Sequence, residues 1–344
     1  MPVLPAARLT DPTAHAATVV GAIGGALGGA AGGAVIGAVV GGPVGALAGA
    51  VIGGIVGGIT GAIAGSSPTF IGGQIGGPCA PNVIIEGLKG ARLTDMNKCN
   101  LHPQNQIISA CETVRYGSLM AARQTDNSVC SGVITKGADH TLIGGPTVQF
   151  HVHQTLWGRL TGTASGNTLV GVSESSKTMY IVSSLEYSGD GASAQYASDA
   201  KAQIENMWGG RTANINGQQY NVDVTVNTNY RGPGDPATPG YDQINVGGGT
   251  GRSNQSLYGD GPGQQYGTDA NANSTNPPTY VAAHEYGHSL GLPDEYHDTP
   301  NGSVPNDPSK TNNLMAQTWP GADGNPPHPY DDHYQAIWDN YGLP

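Results

Sequence analysis

Apolar and polar residues follow two different periods in the second half of the chain. Apolar residues at helical spacing predict a helix over 191–208, which Gly209 and Gly210 would end. Strict alternation predicts a strand with one buried face over 220–226, and a weaker alternation predicts another strand over 241–246. After a polar loop, a further helix is predicted over 278–290. These elements predict an α+β domain.

The first half contains a long uncharged segment instead. No Asp, Glu, Lys, Arg or His occurs in residues 16–85, and almost every residue of 18–64 is Gly, Ala, Val, Ile or Leu. This length suffices for two membrane spans of about 20 residues, 18–40 and 44–64. Small residues four apart would let two such helices pack closely in lipid. We predict a transmembrane-like helical hairpin at 18–65; the alternatives are a flexible Gly-rich insert or an apolar segment buried against a partner.

Length and charge limit the classes of function. A chain of 344 residues is long enough for two compact units and a connecting element. The formal net charge of -11, with only 14 scattered Lys and Arg residues, argues against nucleic acid as a partner, because phosphate contacts need clustered cations. The N-terminal residues lack the basic and then apolar layout of a secretory signal, so export would need another route.

A five-residue motif occurs three times outside the apolar segment. Ala-Arg-x-Thr-Asp occupies residues 7–11, 91–95 and 122–126, and each Asp is followed four residues later by a His or Cys. A second His follows the Cys of the middle repeat three residues later. The four side chains form a Cys2His2 set that suits a closed tetrahedral zinc site, namely His15, Cys99, His102 and Cys130. Three short repeats that share one metal predict a small tapered β structure.

A different metal motif lies on the last predicted helix. Residues 284–288 read HEYGH, so His284 and His288 lie one turn apart on one helix face and can bind a single metal. A catalytic zinc keeps one position open for water and lowers the pKa of that water to about 7. Glu285 is the residue of the motif that can accept the proton when the water attacks a carbonyl. The structural alternative is a polar stripe on a surface helix.

The residues that follow extend the motif to HExxHxxGxxD, which resembles the zinc motif of the metzincin peptidases. The resemblance implies that Gly291 adopts the left-handed backbone that ends the helix and brings a third ligand to the metal. That ligand is usually His, but this chain has Asp294. Glu295 is the alternative third ligand, and folding could also recruit one of three later histidines, His297, His328 and His333.

Two further features of metzincins have candidates here. A Met-containing turn lies beneath the metal in that family, and Met315 follows the motif at a plausible distance, although a buried Met is often only core filler. A tyrosine hydroxyl could stabilise an oxyanion. Nothing in the sequence selects among the three candidates for this role, Tyr296, Tyr330 and Tyr334.

The three repeats and their flanking residues resemble the PAAR-repeat domain, whose namesake tetrapeptide occurs once, at residues 5–8. The resemblance covers residues 1–150, interrupted by the apolar segment. PAAR domains are small β cones that sit on the trimeric VgrG spike of the type VI secretion system, with a zinc near the tip. The resemblance implies that this zinc is bound by the Cys2His2 set, although His140 is an alternative to one of its members. The remaining two cysteines are expected to be buried thiols rather than a disulfide, Cys79 and Cys111.

The sequence thus predicts a multi-domain chain with a β-rich PAAR cone, an inserted hairpin and an α+β zincin-type peptidase. The predicted boundaries are 1–17 with 66–150 for the cone, 18–65 for the hairpin and 151–344 for the peptidase. Two zinc ions are predicted, one structural and one catalytic.

The predicted function is that of a type VI secretion effector that hydrolyses peptide bonds in a recipient cell. Its expected partners are the VgrG trimer, a chaperone that shields the hairpin, an immunity protein, a peptide or protein substrate and the recipient membrane. Two other functions remain open. One is a non-catalytic spike-tip protein with a metal-binding or partner-binding C-terminal domain. The other is a membrane-active toxin that acts through the hairpin.

Overall fold

A computed structural model of the chain describes residues 3–15, 72–100, 102–103, 105–153, 166–248, 253, 263–266, 280–300 and 302–344. The chain forms two compact units, Met1–Pro146 with Thr161–Thr163 and Thr147–Leu160 with Ala164–Pro344. The predicted boundary at 150/151 and the predicted hairpin at 18–65 stay predictions, and the hairpin lies outside the described residues. No helix in the described ranges is both long and apolar enough to cross a membrane.

The first unit is made of short strands separated by turns. Its strands are β1 Val3–Pro5, β2 Pro12–His15, β3 Gly72–Gly77, β4 Ile84–Ile85, β5 Leu88–Lys89, β6 Met96–Cys99, β7 Asn105–Gln106, β8 Ser109–Cys111, β9 Arg115–Tyr116, β10 Leu119–Met120, β11 Gly132–Ile134 and β12 Leu142–Gly144. Five of them form one sheet in the order β11-β2-β3-β6-β7. Three further pairs form separate two-stranded ribbons, β1 with β12, β4 with β5 and β9 with β10.

The three sequence repeats meet in a closed ring of backbone hydrogen bonds. The amide of Ala91 donates to the carbonyl of Ala7 at 2.9 Å, the amide of Ala122 donates to Ala91 at 2.9 Å, and the amide of Ala7 donates to Ala122 at 3.0 Å. Each repeat therefore donates to one repeat and accepts from the other. This cyclic pattern gives the first unit an approximate threefold axis.

The Asp of each repeat closes a turn. The amides of Arg8, Arg92 and Arg123 each donate to the carboxylate three residues later at 2.7 Å. The intervening threonines adopt a left-handed backbone, with φ of 69° at Thr10, 70° at Thr94 and 78° at Thr125. Because the carboxylates are buried, these hydrogen bonds and the guanidinium groups nearby replace the water that the Asp side chains lose. The shared motif is thus a structural turn used three times.

The second unit combines a mixed sheet with three helices in its described part. Its elements are β13 Thr147–Val152, β14 Leu169–Ser173, β15 Thr178–Ser188, α1 Ala194–Trp208, β16 Arg211–Ile215, β17 Gln218–Tyr230, β18 Asp242–Gly247, β19 Gly263–Tyr266, α2 Val281–Ser289, β20 Tyr296–Thr299, β21 Gly302–Pro305 and α3 Asp331–Asn340. Strand β15 is central, because it pairs antiparallel with β14 and parallel with β17 and β18.

The helices and strands predicted for this unit are confirmed. The first helix begins at Ala194 rather than at residue 191, because the hydroxyl of Ser193 accepts the amide of Tyr196 at 3.0 Å and caps the helix. Gly209 follows its last residue, as predicted. The core of the unit buries Trp208 completely. Its ring lies edge-on to the rings of Tyr286 and Tyr334, which bring helices α2 and α3 against the end of α1.

Candidate functional site

Helix α2 carries the HEYGH motif and is held firmly in the second unit. The indole Nε1 of Trp208 donates to the carbonyl of Ala283 at 2.8 Å. The hydroxyls of Tyr286 and Ser183 lie 2.7 Å apart, which connects the helix to the central strand β15. Both hydroxyls are buried. The helix therefore presents its histidines from a rigid support.

The end of α2 turns the chain back toward the motif. Gly291 has φ of +89°, the left-handed conformation that the sequence motif predicts. The amide of Gly291 donates to the carbonyl of His288 at 3.0 Å, and the amide of Leu292 donates to that of Gly287 at 3.1 Å. This pair of hydrogen bonds is a Schellman motif, which satisfies the last carbonyls of a helix. The turn brings Asp294 to the two histidines.

Three side chains converge after this turn. The Nε2 atoms of His284 and His288 each lie 3.2 Å from Oδ1 of Asp294. The two imidazole planes are almost perpendicular, at 89°, and their centroids are 5.0 Å apart. Glu285 is buried beside them on the same helix. The structure thus brings together the two histidines and the first of the two candidate third ligands.

Backbone carbonyls determine which nitrogen of each ring faces Asp294. The Nδ1 atom of His284 lies 2.7 Å from the carbonyl oxygen of Leu314, and that of His288 lies 2.7 Å from the carbonyl oxygen of Leu292. A carbonyl oxygen only accepts hydrogen bonds, so each Nδ1 carries the proton and each neutral ring turns the lone pair of Nε2 toward Asp294. Carbonyl groups in this role orient metal-binding histidines in many proteins.

The donor set fits a zinc ion. One ligand atom from each of His284, His288 and Asp294 lies within 4.8 Å of the others. Two nitrogen lone pairs and a carboxylate oxygen that face one another repel unless a cation or a proton lies between them. Nitrogen and oxygen ligands of this kind are typical of catalytic zinc sites.

The two histidines differ in their acid–base behaviour without a metal. Burial lowers the pKa of His288 below its ordinary value, which favours the neutral ring that binds metals. Burial also acts to lower the pKa of His284, but the hydrogen bond with Asp294 and the charge of Glu285 raise it, and the net direction is upward. The carboxylates of Asp294 and Glu285 thus both lie close enough to His284 to act on its charge.

Met315 lies directly beneath the motif. Its side chain is completely buried, and a Cβ atom added to Gly287 would collide with its sulfur. The same Cβ atom would lie 3.0 Å from Cζ2 of Trp208. Gly287 therefore lets Met315 and Trp208 approach the helix between the two histidines. The structure places Met315 where the resemblance implies a Met-containing turn.

The other candidate ligands of this region point elsewhere. Glu295 contacts Asn313, Lys310 and His333 through its carboxylate. His297 lies 2.9 Å from the amide oxygen of Asn306, and the ring of His328 stacks on Tyr330. In the described part of this unit, the side chains that could bind one metal ion together are those of His284, His288 and Asp294.

The three candidate tyrosines differ in their contacts. The hydroxyl of Tyr334 donates to the carbonyl of Trp208 at 2.7 Å, and that of Tyr330 donates to the carbonyl of Thr311 at 2.7 Å. Both hydroxyls are thus engaged by backbone carbonyls. The ring of Tyr296 lies 6.2 Å from that of His284, measured between centroids. Of the three, Tyr296 is the one in ring contact with a member of the cluster of His284, His288 and Asp294.

A second cluster of metal-binding side chains lies in the first unit. Ligand atoms of Cys99, His102 and Cys130 all lie within 4.8 Å of one another, and Sγ of Cys99 is 3.4 Å from Nδ1 of His102. Two sulfurs and one imidazole nitrogen suit zinc. The side chain of His15 lies outside the described part, but its backbone pairs with Gly132, two residues after Cys130. His140 is exposed and is not a member of the cluster.

The two remaining cysteines are buried, as predicted. Cys79 and Cys111 are both free thiols with almost no exposed surface. The thiol of Cys111 donates to the carbonyl of Gly144 at 3.3 Å. Burial raises the pKa of the Cys79 thiol well above its ordinary value, so it stays protonated.

Several residues of the candidate active site have no signal in the sequence. The carbonyl groups of Leu292 and Leu314 orient the histidines, and every residue type carries such a group. Asn313 and Lys310 follow no motif, yet both bind Glu295 beside the predicted ligand Asp294. In the sequence, Glu295 is marked only by its position next to Asp294. These residues become visible only when the chain is folded.

Comparisons with known proteins match one family model to a segment of the N-terminal half and another to a segment of the C-terminal half. Residues 64–136 match the PAAR motif, and residues 241–337 match the family described as Immune inhibitor A peptidase M6, catalytic domain. No curated protein matches the chain. A solved structure titled "Structure of myroilysin" is 15% identical, covers 47% of this chain and 94% of its own, and has a TM-score of 0.27, too low to bear on the fold. The chain therefore combines a PAAR motif with a C-terminal metallopeptidase domain of the M6 type.

Proposed function

We propose that the second unit is a zinc-dependent peptidase whose metal is held by His284, His288 and Asp294. One observation carries the proposal: the two Nε2 lone pairs and a carboxylate oxygen converge on one point, with both rings locked by backbone carbonyls. The M6 match supports hydrolysis of peptide bonds. Asp294 adds one negative charge to the centre, which a third His would not.

The side chains of the proposed metal centre have different roles in the reaction. A zinc ion at this place would polarise a substrate carbonyl and lower the pKa of water. Glu285 accepts the proton of the attacking water and then donates a proton to the leaving amine. His284 and His288 each donate the Nδ1 proton to a backbone carbonyl, that of Leu314 or Leu292, and would offer the Nε2 lone pair of a neutral ring to the metal. The buried surroundings of Glu285 strengthen its interaction with nearby charge.

Removal of the metal should abolish hydrolysis by the full chain. We expect casein cleavage to cease after treatment with 1,10-phenanthroline and dialysis, and to return when zinc is added. The released peptides, separated by mass spectrometry, are the measurement. Cleavage that persists in chain shown by metal analysis to be zinc-free would contradict the proposal. Calcium added instead of zinc serves as the control, because nitrogen ligands select zinc over calcium.

We also propose that the first unit binds a structural zinc through His15, Cys99, His102 and Cys130 and caps the VgrG spike. The approximate threefold axis supports this, because a threefold-symmetric unit presents three equivalent surfaces to a trimer. Two of its three equivalent ribbons expose large apolar side chains, with Val3 59%, Ile84 60% and Leu142 58% exposed. Exposed apolar groups of this kind mark interaction surfaces.

Charged substitutions on these ribbons should disrupt the spike complex. We expect the double variant Ile84→Asp with Leu142→Asp to lose copurification with a VgrG trimer, because two carboxylates would be desolvated at the interface. Val304→Asp is the matched control, since Val304 is also an exposed apolar residue but lies in the second unit. Undiminished copurification of the double variant would show that this surface does not dock.

The two units together support a function in secretion. The PAAR motif suggests association with a type VI secretion system. We propose that the chain is an effector exported into a recipient cell, where the peptidase acts as a toxin. The chaperone, the immunity protein and the membrane contact through residues 18–65 belong to this proposal and derive from the resemblance to PAAR effectors.

A further inference from the structure

The carboxylate of Glu295 accepts hydrogen bonds from three side chains. Its Oε2 accepts the amide of Asn313 at 2.6 Å and the ammonium of Lys310 at 3.1 Å, and its Oε1 lies 3.0 Å from Nε2 of His333. Three donors from two other segments of the second unit thus surround one carboxylate. Both oxygens of Glu295 thus already accept hydrogen bonds, and its carboxylate is not part of the cluster that His284, His288 and Asp294 form.

The contact with His333 is a hydrogen bond of known direction. The backbone amide of Tyr330 donates to Nδ1 of His333 at 3.0 Å, so Nδ1 is an acceptor and the neutral ring carries its proton on Nε2. The Nε2 group therefore donates to Glu295. His333 is almost fully buried in the first turn of α3 and has little freedom to move. This helix thus holds one oxygen of Glu295 in place.

The backbone of Glu295 is attached on both sides. Its amide donates to the carbonyl of Met315 at 2.8 Å, and its carbonyl accepts the amide of Asn306 at 2.8 Å. The carbonyl of Leu314, the neighbour of Met315, orients His284. Glu295 therefore joins the segment that carries Asp294 to the segment that orients a histidine.

Asp294 needs such support. Its side chain is 37% exposed, whereas that of His284 is 4% exposed, so packing constrains the carboxylate far less than the ring. A ligand held loosely loses conformational entropy when it binds a metal. The adjacent residue, fixed through three side-chain and two backbone hydrogen bonds, removes much of that freedom beforehand.

We infer that Glu295 is a positioning residue, which holds Asp294 against His284 and His288 and does not itself bind the metal. This inference rests on the proposed metal centre. It assigns the placement of the third ligand to the hydrogen bonds between Glu295 and a hub of three side chains, those of Asn313, Lys310 and His333. Outer residues of this kind change metal affinity about 10–100-fold when they are replaced.

The test is cobalt(II) binding by the full chain, measured by competition with a chelator. Cobalt bound by cysteine shows a thiolate charge-transfer band, so the site of the second unit is followed through its thiolate-free visible spectrum. In Glu295→Gln, the amide nitrogen cannot accept, and one donor of the hub then faces another donor. We expect this variant to bind cobalt about 10–100-fold more weakly, with the same visible spectrum at saturation.

Asp332→Asn is the matched control. Asp332 also binds Lys310, but its side chain is mostly exposed and does not contact Glu295 through any described hydrogen bond. We expect its cobalt affinity to equal that of the unmodified chain. A loss of the same size as in Glu295→Gln would mean that removal of any negative charge beside Lys310 weakens binding, whether or not Glu295 is changed, and would overturn the inference.

Three other results would also overturn it. Unchanged affinity in folded Glu295→Gln, even with a lower unfolding temperature, would show a purely structural role. A changed spectrum at saturation would show that Glu295 is a ligand. Absence of a thiolate-free spectrum in the unmodified chain would contradict the proposed metal centre itself. Should Glu295→Gln fail to fold, His333→Phe decides: weaker binding supports the inference and unchanged binding refutes it.

Discussion

Replacing Glu285 with Gln is expected to reduce peptide hydrolysis about 10²–10⁴-fold while zinc binding is retained. Gln has nearly the shape of Glu but cannot accept a proton from water at neutral pH. The proposed ligands His284, His288 and Asp294 are left intact, and backbone carbonyls still orient both histidines. The measurement is kcat/KM on a casein-derived peptide, with the zinc content of the same preparation.

The control for this variant is Glu174→Gln, a Glu in the same unit whose side chain is mostly exposed. It should hydrolyse peptides like the unmodified chain. If Glu285→Gln cleaves as fast as the control, Glu285 is not the general base and the proposed mechanism is wrong. If hydrolysis is lost but recipient cells still die, the toxicity comes from another part of the chain, such as the predicted hairpin at 18–65.

Replacing Gly287 with Val is expected to destabilise the second unit by about 3 kcal/mol, the upper end of the usual cost of overpacking. The added atoms would meet the sulfur of Met315 and the rigid ring of Trp208. Displacing Met315 also disturbs its neighbour Leu314, whose carbonyl orients His284. Zinc affinity should therefore fall together with stability. Gly287→Ala should cost less, because the thioether can move and Ala favours a helix by about 1 kcal/mol over Gly.

Tryptophan fluorescence during urea unfolding is the measurement, because all four tryptophans of the chain follow residue 150 and report on the second unit. The double variant Gly287→Val with Met315→Ala tests the cause. Removing the Met side chain makes room for Val, so the two changes should cost less together than the sum of the separate costs. Strict additivity would show that the collision with Met315 is not the reason.

The helix of the HEYGH motif was predictable because its chemistry is local. Two histidines four residues apart face the same way on any helix, and Gly291 signals a left-handed turn because other residues are strained there. The three Ala-Arg-x-Thr-Asp repeats were equally visible. Their Asp residues, however, appeared only as markers upstream of metal ligands, whereas each one closes a turn onto the amide three residues before it.

The choice between Asp294 and Glu295 as the third ligand depends on segments that are distant in the sequence, so it was not fully predictable in this way. Asp294 and Glu295 are adjacent carboxylates, and the spacing of the motif favours Asp294 as the ligand without excluding Glu295. Their roles differ because Asn313, Lys310 and His333 reach Glu295 from segments 15 to 38 residues later in the chain. The same holds for Tyr296 among the tyrosines, since only folding brings its ring to within 6.2 Å of the ring of His284, measured between centroids.

The sequence by itself determined the elements that depend on neighbours within about one helical turn: the HEYGH helix and the turn after it. The tertiary structure alone decided which carbonyls orient the histidines, which carboxylate faces them, and how the three repeats close into a ring. The physical reason is that backbone amides and carbonyls are the same in every residue, so their partners are determined only by the folding of distant segments against one another.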